Sequence, residues 1–189
     1  DHKHQVFCIG LFKTGTTSCG GILNHLGYRP NGITKGFFPL YVNAMFDDAS
    51  ARALYTFDTL DKKKILGRNE IETLSVNDGP WLFMFEEMAA RWPSAKFIHT
   101  MRDLDNLLIS DMKHYWLHKS NQTFEDAARA GKKVRSLDVV EGSMLVARRH
   151  YFHTKRVFDI FGNESDNRVL HIDFEKDKDA YGDIYRFLG

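Results

Sequence analysis

Residues Phe7 to Ser18 read FCIGLFKTGTTS, an apolar run that passes straight into a glycine and threonine turn. A nucleotide-binding loop of the form GxxxxGK[ST] follows a strand in this way. Its backbone amides cradle phosphates, its lysine reaches the terminal phosphate, and its hydroxyl holds magnesium. Gly10 and Gly15 keep the glycine spacing of that loop, but Thr16 and Thr17 stand where lysine and its hydroxyl neighbour belong. The cation has moved back to Lys13, inside the loop. The frame therefore predicts a phosphate cradle, and the displaced lysine predicts chemistry other than that of a magnesium triphosphate.

Working outward, Gln5 to Leu11 predicts a buried strand and Gly15 to Leu26 a helix opened by threonines and closed by Gly27. Strands are also expected at Ile71 to Val76, Lys96 to Met101 and Arg168 to Phe174. Helices are expected from Leu40 to about Leu60, Trp81 to Arg91, Asp103 to about His118, Thr123 to Lys133, Val139 to Phe161 and Ala180 to Leu188. Strands alternating with helices imply an α/β fold: three layers, with a parallel sheet flanked by helices. Ligands of such sheets bind beyond the carboxyl ends of the strands, where Lys13, Asp78 and Arg102 are all predicted to lie.

The 189 residues, 43% hydrophobic, suffice for one core and predict one domain over 1–189. The 26 Lys and Arg residues nearly balance the 25 Asp and Glu, which argues against nonspecific nucleic-acid binding and for small anionic partners. No apolar run approaches the roughly 18 residues of a membrane span. A cytoplasmic location is expected, or the Golgi lumen if a leader or anchor preceding Asp1 has been removed. The tripeptides Asn121-Gln122-Thr123 and Asn163-Glu164-Ser165 fit a glycosylated luminal protein. Cys8 and Cys19 are expected as small core residues, and the histidines show no metal-binding spacing.

Lys13-Thr14-Gly15-Thr16-Thr17-Ser18, Arg102 followed eight residues later by Ser110, and the closing Phe187-Leu188-Gly189 together resemble the sulfotransferases that use 3′-phosphoadenosine 5′-phosphosulfate. The resemblance covers nearly the whole chain and implies the fold of that family, which is like that of P-loop NTPases. It implies that Lys13, Thr14, Gly15, Thr16, Thr17 and Ser18 wrap the 5′-phosphosulfate, and that Arg102 and Ser110 hold the 3′-phosphate. No metal is implied, and the product is adenosine 3′,5′-bisphosphate. Ser18 stands where the cytosolic branch often has tryptophan, so the chain looks closer to short, divergent members.

Elementary chemistry agrees with the carry-over. A helix N-terminus favours an anion, and an ammonium at Lys13 stabilises the charge that grows on the bridging oxygen as sulfur leaves. Arg102 offers a planar fork to a phosphate, unless it pairs with Asp103 or Asp105 instead. Eight residues of straight helix would separate the backbones of Arg102 and Ser110 by about 12 Å, so joint contact makes a geometric demand.

A base that removes the acceptor's proton also helps transfer. The family's cytosolic branch has a histidine in a His-x-Pro turn, where this chain has Asp78-Gly79-Pro80. Asp78 is thus the candidate base, with helix capping as its other reading. His99, in a strand, reads as a hydrogen-bonded core residue, and most of Arg148, Arg149, Lys155 and Arg156 as solvated. The acceptor is a small molecule with a hydroxyl or amine, for which Phe37, Phe38, Tyr41, Trp81 and Trp116 are candidate walls. Two rivals stand: a P-loop kinase or NTPase with Asp103 or Asp173 as its acidic partner, and a silent nucleotide-binding module.

Overall fold

The computed structural model describes residues 5–28, 30, 75–76, 81–113, 136–162 and 166–189. Four strands, β1 (Val6–Cys8), β2 (Ser75–Val76), β3 (Lys96–Thr100) and β4 (Val169–Ile172), form one sheet in the order β2-β1-β3-β4. Every pairing is parallel, with Phe7 opposite both Val76 and Phe97, and His99 opposite His171. The expected α/β class is present, with β1, β3 and β4 a residue or more shorter than their apolar runs suggested. Successive pairing partners lie on opposite sides of β1, which creates a switch point between β1 and β3.

Helices α1 (Thr16–His25) and α5 (Ala180–Leu188) cover one face of the sheet. Helices α2 (Phe85–Arg91), α3 (Leu104–Met112) and α4 (Ser136–Phe161) contribute to the other. The assignment follows from the two cores. Phe7, Ile9 and Phe97 pack with Trp81, Phe85, Leu107, Val157 and Phe161, whereas Val6, Cys8 and Ile98 pack with Cys19, Leu23, Ile184 and Leu188. Alternate strand residues thus enter opposite cores, which is why β1 is apolar throughout and wholly buried. The three layers anticipated from the sequence are these. Each fully buried large apolar side chain contributes about 1.5–3 kcal/mol of transfer free energy.

Helix ends follow local chemistry. Gly27, at φ 89°, ends α1 by donating to Asn24 O at 3.0 Å while Tyr28 N reaches Leu23 O at 2.9 Å, the paired bonds of a Schellman close. Asp103 caps α3 by accepting from Asp105 N at 3.1 Å, and Asp179 caps α5 by accepting from Gly182 N at 3.1 Å. The single helix expected over Trp81 to Arg91 is divided instead. Trp81–Phe83 forms a 3-10 turn, and Met84 separates it from α2. Trp81 to Phe85 are all buried, so core packing rather than helical period sets their backbone.

Helix α4 begins three residues before the expected start, at Ser136. The predicted helices over Leu40 to Leu60 and Thr123 to Lys133, Ile71 to Leu74 of the β2 prediction, and both glycosylation tripeptides lie outside the described residues. Cys8 and Cys19 are free and buried, and the Cys19 thiol is pushed well up by its hydrogen bond with Cys8 and by burial. No helix among the described residues is long and apolar enough to cross a membrane.

Candidate active site

The loop from Ile9 to Gly15 turns back over the switch point. Thr14 is buried, and its hydroxyl donates to Leu11 O at 2.5 Å while lying 2.7 Å from Thr100 Oγ1. Having spent its one proton on Leu11, Thr14 Oγ1 accepts from Thr100. The contact fastens the loop to the end of β3. Gly10 is demanded at the same place, since a Cβ there would overlap both the hydroxyl and the carbonyl of Thr100. The buried Thr14 side chain therefore holds the loop's shape.

Beyond Thr14, Gly15 is the N-cap of α1 at φ 102°, and a Cβ there would press on the Phe174 ring. Thr16 is buried, while Thr17 and Ser18 are exposed on the first turn. Amides of a first helical turn have no intrahelical acceptor, and none of this turn's residues is acidic, so the end carries the positive pole uncompensated by its own side chains. Lys13 has φ 64°, the left-handed region that non-glycine residues seldom adopt, at a cost on the order of 1–3 kcal/mol.

Arg102 follows β3, and its Nη1 donates to Lys13 O at 2.9 Å. Lys13 and Arg102, 89 residues apart in sequence, are thus joined at one edge of the sheet. The partner carboxylate of Arg102 is Glu175, in the turn after β4, and not Asp103 or Asp105. Asp103 serves as the α3 cap, and Asp173 accepts from Glu175 N at 2.9 Å with Lys176 Nζ 3.4 Å away. Both acidic residues thus make contacts within their own turns. Ser110 sits in the last turn of α3, partly exposed, and is not among the contacts of Arg102. Asp78, Phe37, Phe38, Tyr41 and Trp116 lie outside the described residues; Trp81 is wholly buried in the core.

Helix α4 supplies what the sequence did not signal. His153 Nε2 donates to Ile9 O at 2.7 Å, and His150 Nε2 to Arg102 O at 3.2 Å, so two histidines three residues apart steady the loops after β1 and β3. Arg149 beside them is 9% exposed, an exception within a basic group expected to be mostly solvated. Lys155 faces outward, paired with Asp159, whereas Arg156 lies over the Phe85 ring with its side chain 17% exposed and pairs with Glu86. Asp111 is half-buried within the fields of Lys13 and Arg149; burial raises its carboxyl and the two cations pull it back.

His99 is buried as expected, its Nδ1 3.0 Å from His171 Nδ1, and burial together with His153, His171 and His150 pushes it well below the usual imidazole range. Among the described residues, no three histidine, cysteine or acidic side chains are arranged to hold a metal ion. The surface depression lined by Ile160, Phe161, Gly162, Asp166 and Asn167 lies before β4 begins, at the sheet edge opposite Lys13.

A glycine-bounded loop between a central parallel strand and a helix, clamped by an arginine from the neighbouring strand, defines an α/β protein of the P-loop kind. A family model described as a sulfotransferase domain matches residues 5–178, and the chain belongs to that family. It is a transferase. Among curated proteins, none matches it.

Proposed function

We propose that the protein transfers a sulfuryl group from 3′-phosphoadenosine 5′-phosphosulfate to a hydroxyl or amine of a small-molecule acceptor. The observation that carries this reading is the bond from Arg102 to the backbone of Lys13, which puts two cations on one carboxyl edge beside the start of α1. The donor set fits a nucleotide with two anionic groups: amides and hydroxyls at the helix start for one, a guanidinium for the other. A bound donor supplies a sulfuryl group whose bridging oxygen gains charge as it departs.

Each residue then has a task. The first-turn amides, with Thr17 and Ser18, bind the 5′-group, and Gly15 lets the backbone approach it. Lys13 Nζ neutralises the leaving oxygen, an interaction stronger in the transition state than in the ground state. Arg102 binds the 3′-phosphate and, through Lys13 O, keeps the loop in its strained form. Asp78 takes the acceptor's proton.

The test is calorimetric. Adenosine 3′,5′-bisphosphate is expected to bind and raise the melting temperature, whereas magnesium-ATP at equal concentration leaves it nearly unchanged. Labelled donor with a panel of hydroxyl and amine acceptors should then yield a sulfated product. Stabilisation by magnesium-ATP and not by the bisphosphate would overturn the donor assignment.

A further inference from the structure

The fork of Arg102 is filled by the protein's own carboxylate. Glu175 accepts from Arg102 Nη2 through Oε1 and from Asn106 Nδ2 through Oε2, the latter at 2.9 Å. Two donors from the start of α3 thus grip the two oxygens of one anion. The turn that presents it is braced: Asp173 N donates to Asp177 Oδ2 at 2.6 Å, and Glu175 N to Asp173 Oδ1 at 2.9 Å. Arg102 Nε is buried and has no acceptor among the described residues, so the carboxylate leaves the guanidinium incompletely satisfied. A phosphate brings three terminal oxygens to the same fork, where a carboxylate brings two.

Spacing adds a second argument. Asn106 and Ser110 both lie within α3, where four residues advance about 6 Å while staying on nearly the same face, and Arg102 stands just ahead of the helix. The common grip on Glu175 brings Arg102 and Asn106 together.

We propose that Arg102 and Asn106 form the seat of the nucleotide's 3′-phosphate, and that Glu175 occupies this seat until the nucleotide displaces it. The inference rests on the donor reading above. Glu175 then acts as a specificity device. A nucleotide with a 3′-phosphate replaces the carboxylate with a better-matched anion, whereas one without it gains nothing by displacing Glu175.

The experiment compares adenosine 3′,5′-bisphosphate with adenosine 5′-phosphate by calorimetry on the full chain, as wild type, Glu175→Ala, Asn106→Ala and the double variant. Melting curves confirm that each is folded, as is expected of substitutions at partly exposed positions. Glu175→Ala should tighten the bisphosphate about tenfold, equivalent to about 1.4 kcal/mol, and leave the monophosphate within about twofold. Asn106→Ala should weaken the bisphosphate more in the Glu175→Ala background than in wild type, where losing the bond to Glu175 offsets losing the bond to phosphate. If wild type prefers the bisphosphate and Glu175→Ala leaves that preference unchanged, the seat lies elsewhere and this inference fails while the donor reading stands. Equal weakening of both nucleotides would make Glu175 a structural tie and also overturn it. Failure of either nucleotide to bind any of the four proteins would overturn the donor reading and this inference with it.

Discussion

At the scale of single residues, Lys13 carries an unusual combination of charge and backbone geometry. A left-handed φ of 64° is easier for glycine, yet the position holds a cation. Lys13→Gly separates the two properties, because it removes the ammonium while relieving the conformation. We expect stability within about 1 kcal/mol of wild type, since relief of strain is set against glycine's entropic cost. Turnover should fall on the order of 10²–10³-fold, the usual loss on removing one preorganised charge-stabilising group. Donor affinity should change less than turnover. Asp78→Ala, measured alongside, should stay folded and lose rate if the carboxylate is the base, and lose stability with its rate kept if it is a cap. Urea denaturation and single-turnover rates distinguish these outcomes.

At the scale of elements, the strand, loop and helix at the start of the chain were readable because their signals are local. Apolar residues fill β1, glycines sit where the backbone needs them, and the cation lies a few residues from both. The contacts of Arg102 were not readable. Its partner Glu175 is 73 residues away, and the bond from His153 to Ile9 spans 144. Nothing in the local pattern of Arg149, His150 and His153 distinguishes them from a solvated helical face, and only the packing of α4 against the sheet does so. The break at Met84 was missed for the same reason. Helix α1 offers a paired test of the local part. Gly15→Ala meets both φ 102° and the Phe174 ring, and should cost about 1–3 kcal/mol and weaken bisphosphate binding. Gly21→Ala, in the same helix with nothing within 4 Å of its added Cβ, should instead stabilise by about 0.5–1 kcal/mol. Equal effects in urea denaturation would show that the loop is not held as described.

At the scale of the whole molecule, the sheet and α4 enclose a histidine that resists protonation. Because the folded state lowers the pKa of His99, the unfolded chain takes up its proton first as pH falls. His99 contributes its full stability above the ordinary imidazole pKa of about 6.5, and that contribution is lost progressively below it. The unfolding free energy from urea denaturation should therefore decline between about pH 7 and pH 5, by up to about 1.4 kcal/mol per pH unit for one proton. His99→Gln should flatten that slope, and an unchanged slope in the variant would assign it to other groups.

The strand order also imposes a timetable on biosynthesis. β1 lies between β2 and β3, so neither of its native neighbours exists until translation has reached Ser75 and then Lys96. At about 5–20 residues per second that interval lasts several seconds. Throughout it, the wholly apolar strand β1 has no edge to pair with. The glycine-bounded loop hangs from that strand, so it takes shape late, and protection of Val6–Cys8 from premature association falls to whatever receives the emerging polypeptide.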